Sequence, residues 1–136
     1  MKYLLDTNTC VYALNRADAA LADRLRLARR SDLFISSLTI AELLFGARRS
    51  IRSIENVKRV ARFAAPLGEL PFDRPASEAY GVLRATLAAS GRQFGPVDML
   101  IAATALARGL TVVTNNTREF ERAKGLRIEN WVSPRH

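Results

Sequence analysis

Short apolar runs alternate with helical segments from one end of the chain to the other, and that alternation limits the fold more than any other feature. KYLL (2–5) stops at Asp6, and LFI (33–35) stops at Ser36. GELPF (68–72), the β-branched LTVVT (110–114) and LRIENW (126–131) complete the strand set. Runs this short and this apolar suit strands covered on both faces. The spacing predicts helices over 7–15, over 17–30 with Leu21, Leu25 and Ala28 on one side, over 37–50 and over 51–65 ahead of Pro66. Another is expected over 75–90, between Pro75 and Gly91. The sharpest boundaries enclose VDMLIAATALAR, with Gly95-Pro96 ahead of it and Gly109 behind. Residues 117–123 read as a short polar turn or helix. The expected fold class is α/β, a parallel β-sheet with helices on both faces, in one domain over residues 1–136. Ligands of such sheets gather beyond the carboxyl ends of the strands. Asp6-Thr7-Asn8 and Thr114-Asn115-Asn116 stand at two of those ends.

Residue counts remove whole chemistries. A chain of 136 residues buries enough surface to fold without disulfides or a structural metal. The only histidine is the last residue, His136, which argues against a histidine general base, a Ser-His-Asp triad and a histidine zinc site. Cys10 is the only cysteine, so CxxC redox chemistry and cysteine zinc sites are absent, and a reducing compartment is expected. MKYLLDTN has no signal-peptide pattern, and MLIAATALA (99–107) is too short to span a bilayer, so a cytoplasmic protein without a membrane role is expected. Lys+Arg is 21 against Asp+Glu 13, a net charge of +8, which attracts polyanions, nucleic acid first, or an acidic protein.

Three acids look out of place in this basic chain. Asp6 ends an apolar strand, Glu42 lies within SLTIAELLFGA, and Asp98 opens the most apolar helix. A carboxylate beside a core is costly unless it is paired, hydrogen-bonded or bound to a cation. Each has a local explanation. Asp6 can cap the helix at Thr7, Glu42 completes a Thr39-x-x-Glu42 capping box, and Asp98 sits in a first turn where the helix dipole favours an anion. Together they occupy helix starts at the carboxyl edge of one sheet. Carboxylates converging there repel one another, and a hard divalent cation relieves that.

YLLDTN, SSLTIAELLFGA and GPVDMLIAATALARGLTVVTNNTREFERAKGLRIENW, in this order and at this spacing, resemble the PIN-domain ribonucleases over essentially the whole chain. Within that family they look like the VapC-type toxins of bacterial toxin–antitoxin pairs. The resemblance implies a PIN-like fold and an endoribonuclease dependent on Mg²⁺ or Mn²⁺, with Asp6, Glu42 and Asp98 as metal ligands. A fourth acid is common in the family just after the strand matching LTVVT. Asn116 stands there in this chain, with Glu119 three residues on. Either Glu119 supplies the charge or three acids suffice; Glu119 can also be an exposed acid paired with Arg118 or Arg122. Thr7, Asn8, Thr114 and Asn116 are expected to orient the acids by hydrogen bonds, with ordinary capping and turn chemistry as the alternative. The implied reaction is hydrolysis of a structured RNA such as tRNA, leaving a 5′-phosphate and a 3′-hydroxyl. The implied partners are a cognate antitoxin whose C-terminal segment blocks the acidic site, a second copy in a homodimer, and promoter DNA reached only through the antitoxin.

Arg48, Arg49, Arg52 and Arg59, with Lys58 and Arg62, are candidates for RNA phosphates; a solvated basic helix face is the plainer reading of any one of them. Segments 17–30 and 53–67 are candidate partner surfaces. Cys10, Phe120 and Trp131 are expected to pack in the core. A non-catalytic RNA- or protein-binding module with an unused acidic site is the competing class. A haloacid-dehalogenase-type phosphotransferase needs a second acid where Asn8 stands.

Overall fold

In a computed structural model, which describes residues 1–134, the five apolar runs form one parallel sheet. His136 lies outside the described residues. The strands are β1 (Tyr3–Leu5), β2 (Leu33–Ser36), β3 (Gly68–Leu70), β4 (Thr111–Val113) and β5 (Arg127–Glu129), in the spatial order β3-β2-β1-β4-β5. The helices are α1 (Thr7–Leu14), α2 (Ala19–Leu27), α3 (Ser37–Arg48), α4 (Ser53–Ala64), α5 (Arg74–Ser90), α6 (Pro96–Arg108) and the single turn α7 (Thr117–Phe120). Strand order reverses between β1 and β4, so the chain leaves in opposite directions from two neighbouring strands. That is where an open α/β sheet forms its ligand crevice.

Successive strand residues point to opposite faces, and the core divides accordingly. Leu4 and Val112 face α5 and α6, where Leu83, Leu87, Ile101 and Phe120 close one core. Leu5, Ile35 and Val113 face α1 to α4, with Cys10, Leu21, Leu43, Val60 and Trp131 in the other. Ile101 through Ala105 are completely buried, and Thr104 satisfies its hydroxyl on the Leu100 carbonyl at 2.9 Å. Burying one side chain the size of Ile101 contributes ~1.5–3 kcal/mol, so the helix that carries Asp98 is a rigid mount.

Side-chain caps set several helix starts. Asp6, Asp18, Ser36 and Asp73 accept from the backbone N–H of Thr9, Leu21, Leu38 and Ala76. Gly91 (φ +69°) and Gly109 (φ +67°) end α5 and α6 in the left-handed conformation that glycine adopts without strain. Two local expectations change. The helix expected over 17–30 is the shorter α2, because Asp18 caps it and Ala28 is already extended; a 3₁₀ turn at Arg30–Asp32 follows. The Thr39–Glu42 pair is not a capping box, because Ser36 starts α3 and Thr39 is buried within its first turn. No helix among the described residues is long and apolar enough to cross a membrane.

Candidate active site

The reversal point carries a carboxylate corner. Asp6 follows β1 directly and is only 1% exposed. Its backbone N–H donates to the Val113 carbonyl at 3.1 Å, which holds it against the end of β4. One carboxylate oxygen, Oδ1, accepts from the Thr9 N–H at 2.8 Å. The Thr114 hydroxyl hydrogen-bonds the same carboxylate and in turn accepts from the Asn116 N–H at 2.9 Å. The Thr9 hydroxyl donates to the Val113 carbonyl at 3.0 Å, tying α1 to β4.

Asp98 projects from the first turn of α6 and Glu119 from α7. Glu119 accepts the Gly95 N–H on Oε2 at 3.1 Å, while its Oε1 is buried without a hydrogen-bond partner. A Cβ on Gly95 would lie 3.5 Å from Asp98 Oδ2 and 3.7 Å from each Glu119 carboxylate oxygen. These are ordinary van der Waals separations, so the Gly95 backbone packs directly beside the two acids. Burial, then the hydrogen bond and charge of Glu119 and the charge of Asp6, push the Asp98 carboxyl up to about 8. Burial also raises Asp6, against hydrogen bonds from Thr114 and Thr9, with the Glu119 charge adding to the rise.

Among the described residues none of these three acids forms an ion pair. Three carboxylates at one corner, Asp6 buried and Asp98 and Glu119 half-buried, make the oxygen-rich environment that a hard divalent cation relieves. The residues fit such an ion in chemistry. As they stand, no three Asp, Glu, His or Cys side chains among the described residues are gathered tightly enough to ligate one together.

The structure brings Asp6, Asp98 and Glu119 into electrostatic contact. Glu119 is thus turned inward and not paired with Arg118 or Arg122. Glu42 is not among the charges that act on Asp6 or Asp98. It is exposed, in the middle of α3, and lines a groove of about 420 Å³ together with Thr7, Val11, Phe45, Arg49 and Arg59. Thr7 links the two regions, since it neighbours Asp6 and its hydroxyl shares a 3.1 Å hydrogen bond with that of Thr39. Asn8 is exposed on α1, and Asn116 begins α7 without a side-chain cap. Arg49 lies over the Phe45 ring at 5.0 Å, Arg52 pairs with Glu55 at 3.4 Å, Arg59 bonds Asn56 and the Leu14 carbonyl, and Arg48 is exposed. Sequence reasoning missed Thr9 and Gly95. Thr9 is the third residue of the helix Asp6 caps, where a capped N–H is expected.

Known proteins resemble this chain over most of its length. The PIN domain family matches residues 3–126. A tRNA(fMet)-specific endonuclease VapC of Salmonella typhimurium is 43% identical over 131 residues, 96% of this chain and 98% of that protein. The tRNA(fMet)-specific endonuclease VapC of Shigella flexneri is 41% identical over 131 residues, with the same two coverages of 96% and 98%. Among solved structures, DNA-bound VapBC from Salmonella typhimurium superposes with a TM-score of 0.91 at 43% identity, covering 96% of this chain and 98% of that one. VapBC2 of Rickettsia felis, bound to a promoter DNA fragment, gives 0.90 at 36% identity, covering 96% and 99%.

Proposed function

Because this chain belongs to the PIN-domain family, among its VapC-type members, we propose that it is the endoribonuclease toxin of a toxin–antitoxin pair, acting on a structured RNA of the tRNA class. The supporting observation is the carboxylate corner at the sheet reversal, where Asp6, Asp98 and Glu119 face one another without a cation of their own. Asp6 and Asp98 would hold Mg²⁺ or Mn²⁺, with Glu119 supplying the charge that Asn116 lacks and Glu42 approaching from the groove beside Thr7. Such an ion, when bound, supplies Lewis-acid activation of water and neutralises charge on the phosphoryl oxygens.

The chain's own groups do the rest. Thr9 and Thr114 fix the Asp6 carboxylate, so its orientation does not depend on the substrate. With its carboxyl raised to about 8, Asp98 holds a proton at neutral pH, which a bound cation would displace. In the reaction, the oxygen of water bonds to phosphorus, the bond from phosphorus to the 3′-oxygen breaks, and the leaving oxygen takes a proton. The products are a 5′-phosphate and a 3′-hydroxyl.

A cognate antitoxin is the partner this surface suits. The net charge is +8, and exposed Val11, Phe45, Ile51 and Ile54 lie on α1, α3, α4 and the turn between the last two. The related proteins are solved as VapBC complexes. Promoter DNA is then reached through the antitoxin, and the toxin pairs with a second copy.

The test is cleavage of a tRNA(fMet) transcript by purified protein in Mg²⁺ or Mn²⁺, with EDTA as control. Asp6→Asn and Asp98→Asn each remove a ligand charge and keep the shape, and each abolishes cutting while circular dichroism stays native. Undiminished cutting by both variants, or by wild type in EDTA, refutes the proposal.

A further inference from the structure

Beside the carboxylate corner, a cleft of about 580 Å³ runs between the end of α5, the 91–95 loop and α7. Gly95 and Glu119 are among its lining residues, so it reaches one acid of the corner. Arg84, Arg92 and Arg122 line it, over a floor that includes Leu87 and Met99. An adjoining cleft of about 670 Å³ shares Arg92, Gln93 and Arg122 and adds Arg118 and Glu121. Four arginines from three different stretches of chain therefore converge next to the site.

None of the four pairs with a carboxylate among the described residues. Arg84 bonds the Tyr80 hydroxyl at 2.9 Å, and Arg122 bonds the Gln93 carbonyl, which ties α7 to the 91–95 loop. These neutral contacts orient two guanidinium groups without neutralising them. Arg92 and Arg118 are exposed. Converging like charges raise the energy of the free protein, and a polyanion laid along them relieves it. The arginines that the sequence alone suggests are different ones. Arg52 is spent on Glu55, and Arg49 and Arg59 lie in the groove that also holds exposed apolar side chains.

We propose that the RNA strand on one side of the scissile bond runs through this cleft, its phosphates held by Arg84, Arg92, Arg118 and Arg122. The assignment rests on the ribonuclease reading and adds the direction in which substrate leaves the acids. Guanidinium groups suit it because their forked donors match phosphate oxygens. Fixing the backbone there sets which phosphodiester reaches Asp98 and Glu119.

The experiment uses the full chain, a tRNA(fMet) transcript and a poly(U) strand. Binding is followed by fluorescence anisotropy in EDTA across a salt series, and cleavage of the transcript in Mg²⁺. Arg92→Ala/Arg118→Ala weakens binding to both RNAs at least several-fold. Each lost phosphate contact lowers the slope of log affinity against log salt by ~0.7–0.9, so the double variant loses about 1.5. KM rises and kcat is retained. Arg30→Ala/Arg74→Ala removes two exposed arginines elsewhere and leaves the slope unchanged. Arg84→Ala/Arg92→Ala serves as the second variant should the first fail to fold. An unchanged slope and KM in a folded cleft variant, or an equal effect in the distant control, overturns the cleft while the ribonuclease reading stands. If wild type neither binds nor cuts either RNA, that reading fails first and the cleft with it.

Discussion

Asp98→Asn tests the electrostatics of the corner without any RNA. The folded Asp98 carboxyl sits at about 8 against an ordinary 3.8. A raised acid contributes stability in full below its unfolded pKa and loses it as pH rises through its folded pKa, because the folded state binds the extra proton. At pH 7.5 the full shift would correspond to ~5 kcal/mol. The side chain is only half-buried, and solvent screening reduces that to about 1–2 kcal/mol. The neutral variant is therefore more stable than wild type in EDTA at pH 7.5. For a domain of this size the gain appears as ~3–6 °C in Tm. The gap closes as pH falls towards 4, where Asp98 is protonated in both states. Mg²⁺ narrows the gap: at ten times its Kd it stabilises wild type by ~1.4 kcal/mol and has less to hold in the variant. Differential scanning fluorimetry over a pH series, with and without Mg²⁺, reads both effects. A variant no more stable than wild type in EDTA, or a gap that ignores pH, refutes the argument.

Two further perturbations test the scaffold. Asp18 caps α2 through Leu21 N–H and also accepts from the Ser133 N–H at 3.0 Å, so Asp18→Ala loses a cap and a charge-assisted bond together. About 2–3 kcal/mol is expected from urea unfolding, and a loss below ~0.5 kcal/mol means the C-terminal tether carries no load. At Gly68 a Cβ would stand 2.6 and 2.7 Å from two Phe34 ring atoms, so Gly68→Ala costs ~1–3 kcal/mol by overpacking. Phe34→Leu in the same chain restores most of it, and additive losses in that double variant contradict the clash.

Most of the architecture is legible in the sequence because its signals are local. Apolar runs bounded by polar residues mark the strands, and Gly95-Pro96 and Gly109 bound α6 within a residue. Asp6 and Asp98 stand out because each adjoins an apolar segment. Glu119 is harder to read. TREFER alternates charge with no visible preference for one side, and only the anchoring of Phe120 against Phe94, 5.5 Å between ring centres, fixes which way α7 turns. Glu42 is legible only as a position: its place in the helix is clear, and which way its side chain turns depends on how α3 packs against α1, which spacing does not encode. The arginine cleft is illegible for a similar reason, since its members lie far apart in the chain and meet only when α5 and α7 are placed.

The two oxygens of Asp6 have different employers. One starts the first helix, and the carboxylate's negative charge faces the other acids. An asparagine carbonyl performs the first task as well, so exchanging a single oxygen for an amide nitrogen separates folding from chemistry. On the proposed reading, one exchange at Asp6 disarms the protein while every surface that a partner grips is left in place.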